Sequence, residues 1–98
     1  YLVMDLVPGG DLRFHLKKIA NLIKNKPVNF SYKEFFAACI VQSLSFLHNN
    51  GIIHRDVKPE NLVFDKRGYL RLTDLGVARI WKPENSYDTS GTPGYMAP

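Results

Sequence analysis

The chain has 98 residues, of which 45% are hydrophobic and 22% charged, and it carries a formal net charge of +4. This composition is typical of a packed globular protein and excludes a disordered tail. The length allows at most one small domain, because independent cores usually need roughly 100 to 150 residues. No apolar run approaches the roughly 18 residues of a transmembrane helix, so we predict no membrane span. Residues 1–5 show no signal peptide, and we expect the chain to begin inside a longer protein.

The single cysteine, Cys39, lies in an apolar helical pattern. One cysteine cannot form an internal disulfide, so we expect a buried free thiol and a cytoplasmic location. The basic residues are spread along the chain apart from one cluster, which consists of Lys17, Lys18, Lys24 and Lys26. Because no aromatic residues interleave with this cluster as stacking platforms, we predict a solvated surface and no nucleic-acid partner.

The first third of the chain predicts one strand and one short helix. Residues 1–7 are apolar and β-prone and are followed by Pro8-Gly9-Gly10, which predicts a buried strand that runs into a turn. Asp11 is placed to cap a short helix, whose apolar stripe consists of Leu12, Leu16 and Ile19. Residues 20–29 predict a surface connection, and a docking insert is the alternative.

The clearest helix start lies near residue 31. Ser31 and Glu34 have the spacing of a capping box, and Phe30 and Phe35 occupy the positions of a hydrophobic staple. Apolar residues then repeat at helical spacing at Phe36, Ile40, Leu44 and Leu47. The run Asn49-Asn50-Gly51 predicts the end of this helix.

Two short apolar runs predict a β-hairpin. Leu62-Val63-Phe64 and residues 69–72 flank a turn that contains Gly68. We also expect a short strand at Ile52-Ile53. Residues 76–98 show little periodicity and many Ser, Thr, Gly and Pro residues, which predicts a long ordered or switchable loop.

The stretch from His54 to Asn61 combines an acid, a base and an amide and is too polar for a core. Phosphoryl transfer needs a carboxylate that orients and deprotonates the attacking hydroxyl, a cation on the moving phosphoryl group and oxygen ligands for magnesium. Asp56 can supply the carboxylate and Lys58 the cation. Because the hairpin folds the chain back on itself, Asn61 and Asp74 should lie close together. These two residues are sufficient, since magnesium usually takes only one or two ligands from the protein.

Three motifs, in this order, resemble those of eukaryotic protein kinases. They are His54-Arg55-Asp56 followed by Asn61, then Asp74-Leu75-Gly76, and then Gly91-Thr92-Pro93-Gly94-Tyr95-Met96-Ala97-Pro98. They are similar to the catalytic loop, the metal-binding motif and the end of the activation segment. Lys58 and Thr92 together resemble a serine/threonine kinase. Gly9-Gly10-Asp11-Leu12 and the last motif are similar to the AGC group, with features of its receptor-kinase branch.

The resemblance implies an α+β fold in which residues 1–98 are a partial protein kinase domain. This fragment of a protein-kinase-like fold would contain the hinge strand, large-lobe helices, the catalytic-loop β-hairpin and the activation segment. The small lobe and the C-terminal large-lobe helices would be absent from it. The parent enzyme is then expected to phosphorylate serine and threonine in protein substrates with ATP and Mg²⁺, and the fragment itself is expected to be inactive.

Two alternatives to an active protein kinase remain open. The first is a pseudokinase scaffold, which a missing glycine loop or lysine in the residues before Tyr1 would indicate. The second is a small-molecule phosphotransferase, which shares the catalytic-loop pattern but which the activation-segment ending disfavours.

The resemblance also implies roles for individual residues. Asp56, Lys58 and Asn61 would be catalytic, and Asn61 and Asp74 would hold magnesium. Thr92 is expected to hydrogen-bond Asp56 and Lys58 and so tie the substrate-docking loop to the base. The residues expected at the nucleotide are Met4, Asp5, Val7, Asp11 and Val63, and for Met4 and Val63 a place in the core is the alternative.

Further residues resemble regulatory and substrate-binding positions. Arg55 would grip a phosphate on the activation segment, with Ser86, Tyr87, Thr89 and Ser90 as candidate acceptors. Asp88 stands where AGC kinases commonly carry a phosphothreonine and is expected to substitute for it in part, with Thr89 as the rival site. His54 would brace the metal motif. If Asp11 and Glu60 face the cleft, they would favour peptides with basic residues before the acceptor hydroxyl, although a helix cap and a surface charge explain them as well.

Overall fold

The computed structural model describes residues 1–22 and 30–98, apart from the side chains of residues 22, 30, 31 and 86. The fold is α+β, as expected. The helices are α1 (Leu12–Leu22) and α2 (Phe30–Asn49), and the strands are β1 (Ile52–Ile53), β2 (Leu62–Phe64), β3 (Leu70–Leu72) and β4 (Arg79–Ile80). Two 3₁₀ turns are also present, Pro59–Asn61 and Pro83–Tyr87.

The predicted hairpin forms and organises the core. Strands β2 and β3 are antiparallel, and Leu62 faces Leu72 while Phe64 faces Leu70. The hydrophobic side chains that are buried in the described residues are Leu12, Leu62 and Leu70. Half-buried side chains from α2 and the hairpin pack against them, namely Phe36, Cys39, Ile40, Phe64 and Leu72. The hairpin is therefore held between α1 and α2, and Cys39 is a half-buried free thiol.

Helix α1 begins where the sequence predicts. The backbone N–H of Phe14 donates to Asp11 Oδ1 over 2.8 Å, so Asp11 caps the helix. Of the predicted stripe, Leu12 is buried and Ile19 is half-buried. Leu16 was expected in the stripe but is 45% exposed, because no element of the described chain covers its position.

Helix α2 shows the predicted apolar face and the predicted end. Its half-buried residues include Phe36, Ile40, Leu44 and Leu47. The helix ends at Asn49, and Gly51 takes a φ of 70°, which glycine adopts without strain. The predicted capping box and staple depend on Phe30 and Ser31, whose side chains lie outside the described residues. The predicted connection lies largely outside them as well.

The prediction of a buried strand at residues 1–7 is wrong. These residues form no regular secondary structure, and residues 1–6 are exposed. A strand needs a neighbour for its backbone groups, and no described segment pairs with this one. The chain joins the hairpin only afterwards: Gly9 N–H donates to Phe64 O over 2.8 Å, and Phe64 N–H donates to Gly10 O over 2.9 Å.

A second, two-stranded sheet connects the start of the polar stretch to the last quarter of the chain. The predicted strand β1 pairs antiparallel with β4, with Ile52 opposite Ile80. Strand β4 is not predicted from the sequence, although the apolar pair Ile80-Trp81 is a signal for it. Residues 54–61 connect β1 to β2, and residues 73–78 connect β3 to β4, so each of these segments is fixed at both ends by a strand. None of the helices described is apolar over a length that would span a membrane.

Candidate active site

His54 anchors the polar stretch between β1 and β2. Its side chain is only 1% exposed, and its Nε2 donates to Thr73 O over 2.8 Å. Its Nδ1 accepts the backbone N–H of Asp56 over 3.2 Å. Both ring nitrogens are thus bonded to backbone groups, one of Asp56 itself and one of Thr73, the residue before Asp74. The stretch was expected to be too polar for a core, yet its two ends, His54 and Asn61, are buried.

Backbone strain is concentrated at the same place. In the described chain, Arg55 and Asp74 are the non-glycine residues with positive φ, at 69° and 63°. Aspartate tolerates this conformation better than arginine does, and strain of this kind persists only where the surroundings impose it. For Arg55 the surroundings are visible: its Nε donates to Val77 O over 2.6 Å, and Gly91 lies against its carbonyl oxygen.

Three side chains form a closed triangle of polar contacts, which we call the Asp56–Lys58–Thr92 triangle. Lys58 Nζ donates to Thr92 Oγ1 over 2.6 Å, and Thr92 Oγ1 donates to Asp56 Oδ1 over 2.7 Å. Lys58 Nζ also lies 3.3 Å from Asp56 Oδ2. These are the contacts expected of Thr92. Although Thr92 lies 36 residues after Asp56, it contacts both charged groups of the loop.

The contacts of Asp56 lower the pKa of its carboxyl. The hydrogen bond from Thr92 is the largest influence on its pKa, and further bonds from Lys58 and Asn61 act in the same direction. Desolvation opposes them, but the pKa of Asp56 still falls below its ordinary value. Asp56 is therefore a carboxylate at neutral pH.

Asn61 is oriented by the same carboxylate. Its Nδ2 donates to the backbone oxygen of Asp56 over 2.9 Å and to Asp56 Oδ2 over 3.1 Å. Because the NH₂ group is turned toward Asp56, the amide oxygen is directed to the other side. The backbone oxygen of Asn61 accepts the backbone N–H of Thr73 over 2.8 Å, and Asp74 is the next residue after Thr73.

Asp74 and Asn61 offer oxygen ligands of the type that magnesium prefers. Asp74 is exposed, and its Oδ1 accepts the N–H of Gly76 over 3.1 Å, which leaves Oδ2 outside that bond. Within the described residues no group of three or more His, Cys, Asp or Glu side chains could hold a metal ion. Magnesium needs no such group, because phosphate oxygens and water usually complete its octahedron. The donor set fits magnesium and is unlike a zinc site.

The residues expected at the nucleotide are brought together only in part. Asp5 and Val7 line an open groove with Leu72 and Thr73, directly before Asp74. Met4 is 78% exposed and does not line this groove. Asp11 and Val63 face each other in an isolated β-bridge, at the edge of strand β2.

Two of the residues expected to be regulatory, Arg55 and Asp88, lie near each other. Arg55 Nη1 lies 3.7 Å from Asp88 Oδ2, and Asp88 is about half exposed. Both residues line an open pocket together with Thr89 and Tyr95. Glu60, by contrast, has a partner that its sequence position does not indicate. Its Oε1 accepts a hydrogen bond from Arg13, a residue of α1.

The comparison with known protein families is decisive for the class of protein. The family model described as "Protein kinase domain" matches residues 1–98. The chain belongs to the protein kinase family. The three motifs identified in the sequence therefore lie within a segment of a protein kinase domain.

Three relatives illustrate which kinases this segment is similar to. It is 39% identical to a probable cAMP-dependent protein kinase catalytic subunit of Encephalitozoon cuniculi, over 99% of the chain and 28% of that protein. It is 41% identical to cAMP-dependent protein kinase type 3 of Saccharomyces cerevisiae, over 100% of the chain and 23% of that protein. It is 41% identical to Rho-associated protein kinase 1 of Homo sapiens, over 100% of the chain and 7% of that protein.

The resemblance to the AGC group is confirmed by these kinases, whereas the receptor-kinase branch stays a prediction. The chain spans between 7% and 28% of the length of the three relatives.

Proposed function

We propose that the protein containing this kinase segment transfers the γ-phosphoryl group of ATP to serine and threonine hydroxyls of protein substrates. The observation that carries the proposal is the Asp56–Lys58–Thr92 triangle. It combines an ionised carboxylate, an ammonium group and a hydroxyl within direct contact. Family membership supports phosphoryl transfer to proteins, and the presence of both Lys58 and Thr92 supports serine/threonine specificity.

In this proposal Asp56 accepts the hydrogen bond of the substrate hydroxyl and orients its oxygen for attack. A carboxylate with a lowered pKa is a weak base, so it receives the proton late, as the new phosphate ester forms. Lys58 holds its ammonium 3.3 Å from Asp56 Oδ2, where it can also neutralise charge on the moving phosphoryl group. Thr92 fixes the relative position of the two.

Magnesium and ATP are the proposed cofactors. Asn61 and Asp74 would hold the metal, and a bound magnesium ion would neutralise phosphate charge during transfer. The buried amide of Asn61 is kept in one orientation by two bonds to Asp56, so the ligand oxygen needs no rearrangement. The proposed contacts to the nucleotide are Met4, Asp5, Val7, Asp11 and Val63.

The segment from residue 1 to residue 98 is proposed to run from the hinge to the activation segment of the kinase domain. The isolated segment is then inactive, because its sequence contains no G-x-G-x-x-G loop to hold the phosphates of ATP. A cytoplasmic location is proposed as well, and the free thiol of Cys39 supports it.

Regulation is proposed to act through Arg55. The activation segment would be held by the contact between Arg55 and Asp88, with a fixed carboxylate in the place of a phosphate. Phosphorylation of Thr89 is the rival proposal, supported by its position in the same pocket.

The test of the proposed function is phosphorylation of a protein substrate by the full-length protein and its Asp56→Asn variant. We expect phosphoserine or phosphothreonine in the product, and a rate lowered about 10² to 10⁴-fold in the variant with ATP binding retained. Equal rates in both proteins, or phosphotyrosine alone, would contradict the proposal. ATP binding by the wild-type protein without any transfer would indicate the pseudokinase alternative, and transfer to small molecules only would indicate the phosphotransferase.

A further inference from the structure

Glu60 and Arg13 form an ion pair between the catalytic loop and helix α1. Glu60 lies in the 3₁₀ turn Pro59–Asn61, four residues after Asp56. Its Oε1 accepts a hydrogen bond from Arg13 Nη1, although the two residues are 47 positions apart. The pair therefore joins the end of the catalytic loop to the first turn of α1.

Both oxygens of the Glu60 carboxylate are closed to an incoming cation. Arg13 occupies Oε1, and Oε2 is shielded from solvent with no hydrogen-bond donor in the described part of the chain. The hydrogen bond from Arg13 is the largest influence on the pKa of Glu60, which it lowers, and Glu60 in turn raises the pKa of Arg13. Each group thus keeps its charge, and each charge is neutralised inside the chain.

Two further ionisable side chains interact electrostatically with the pair. Tyr95, in the proposed end of the activation segment, is within electrostatic range of Arg13. Lys58 is within electrostatic range of Glu60. The other carboxylate from which a preference for basic peptides was expected, Asp11, accepts the N–H of Phe14 through its Oδ1. Asp11 caps α1 through one carboxylate oxygen only, whereas the charge of Glu60 is already paired with Arg13 within the chain.

We propose that Arg13 is a specificity-determining residue that occupies the place of a substrate cation on Glu60. The wild-type kinase then takes peptides without selecting a basic residue at the position that passes Glu60. This inference rests on the proposed kinase function and names its substrate class. A substrate arginine would have to displace Arg13, and the exchange of one guanidinium for another on the same carboxylate yields little net affinity.

The experiment compares kcat/KM of the full-length protein for matched peptides. Arginine or glutamine is placed in turn at each of the five positions before an acceptor serine. At the position that passes Glu60 we expect the wild-type arginine-to-glutamine ratio to stay below about threefold. In Arg13→Gln the ratio should rise to at least about tenfold at one position, which corresponds to about 1.4 kcal/mol, because a carboxylate without its partner becomes available.

Matched variants separate this effect from a change in folding. Arg13→Lys keeps a cation on Glu60 and should keep the wild-type ratio. The double variant Arg13→Gln/Glu60→Gln should lose the new preference, because the carboxylate is gone. Lys17→Gln, which removes an exposed cation from the same helix, should leave the ratio unchanged.

The outcomes also separate this inference from the proposed function. If the wild-type protein phosphorylates the peptides but Arg13→Gln leaves all ratios unchanged, the inference alone is wrong. A wild-type preference of tenfold or more that disappears in Glu60→Gln would overturn it without use of any Arg13 variant. If the wild-type protein phosphorylates none of the peptides or proteins offered, the proposed function fails and the inference fails with it.

Discussion

Replacement of Thr92 by valine tests the Asp56–Lys58–Thr92 triangle directly. Valine has nearly the shape of threonine but no hydroxyl, so the variant loses the 2.6 Å bond from Lys58 and the 2.7 Å bond to Asp56. Both bonds involve a charged partner and are roughly twice as strong as neutral ones. The direct contact of Lys58 with Asp56 at 3.3 Å remains. The variant should therefore keep both charges and lose their fixed position.

The expected result is a fall in kcat of about 10 to 100-fold in the full-length protein, with KM for ATP little changed. A displacement of about 1 Å in a group that orients a reactant is sufficient for a loss of this size. The pKa of Asp56 should rise toward its ordinary value, because its largest stabilising hydrogen bond comes from Thr92. The measurements are steady-state kinetics with a protein substrate and an NMR titration of the Asp56 carboxyl.

The pH dependence follows from the sign of this shift. A lowered pKa stabilises the folded protein at pH values above the unfolded pKa of about 3.8, and this contribution is lost as pH falls through the folded pKa. The free energy of unfolding of Thr92→Val should therefore depend less on pH in this range than that of the wild type. The acid limb of its kcat/KM profile should shift to higher pH, because Asp56 becomes protonated at a higher pH. Thr92→Ser restores the hydroxyl and should stay within about threefold of the wild-type kcat. A valine variant with wild-type kcat and an unchanged Asp56 titration would refute the role given to the triangle.

Four further predictions concern the neighbouring contacts. Asp88→Asn should lower activity at low salt by at most about fivefold, because a half-exposed ion pair contributes only about 0.2 to 1 kcal/mol, and the difference should vanish at high salt; unchanged low-salt activity would reject the role of Asp88. Gly91→Ala should destabilise the protein in a thermal melt by about 1 to 3 kcal/mol and by more than Gly94→Ala, since both positions have positive φ but only at 91 would a Cβ lie 2.7 Å from Arg55 O. Asp74→Asn should raise the magnesium concentration for half-maximal activity at least about tenfold, while binding of ATP without metal stays unchanged; an unaltered magnesium requirement would exclude it as a ligand. The isolated 98-residue chain should show neither ATP turnover nor a cooperative thermal transition, because Leu12, Leu62 and Leu70 are the hydrophobic side chains it buries in its described part.

The sequence determined those features that depend on neighbouring residues. The hairpin follows from two apolar runs around a glycine-containing turn, and helix α2 follows from a repeat at helical spacing that ends at a glycine. Because Asp56, Lys58 and Asn61 lie close together in one loop, a phosphoryl-transfer site could also be predicted from the sequence. In each case the informative residues lie within about one element of each other, so local geometry is sufficient.

Only the tertiary structure decided which partners the charged residues have and which apolar segment is covered. Arg13 reaches Glu60 across 47 positions, and Thr92 reaches Asp56 across 36, because the packing of α1 and the path of residues 88–92 bring them there. Residues 1–7 have the composition of a buried strand, yet no described segment pairs with them. A charge is available to a ligand only if no closer partner neutralises it, and a strand forms only beside another strand. Both conditions depend on the arrangement of distant elements rather than on the residues themselves.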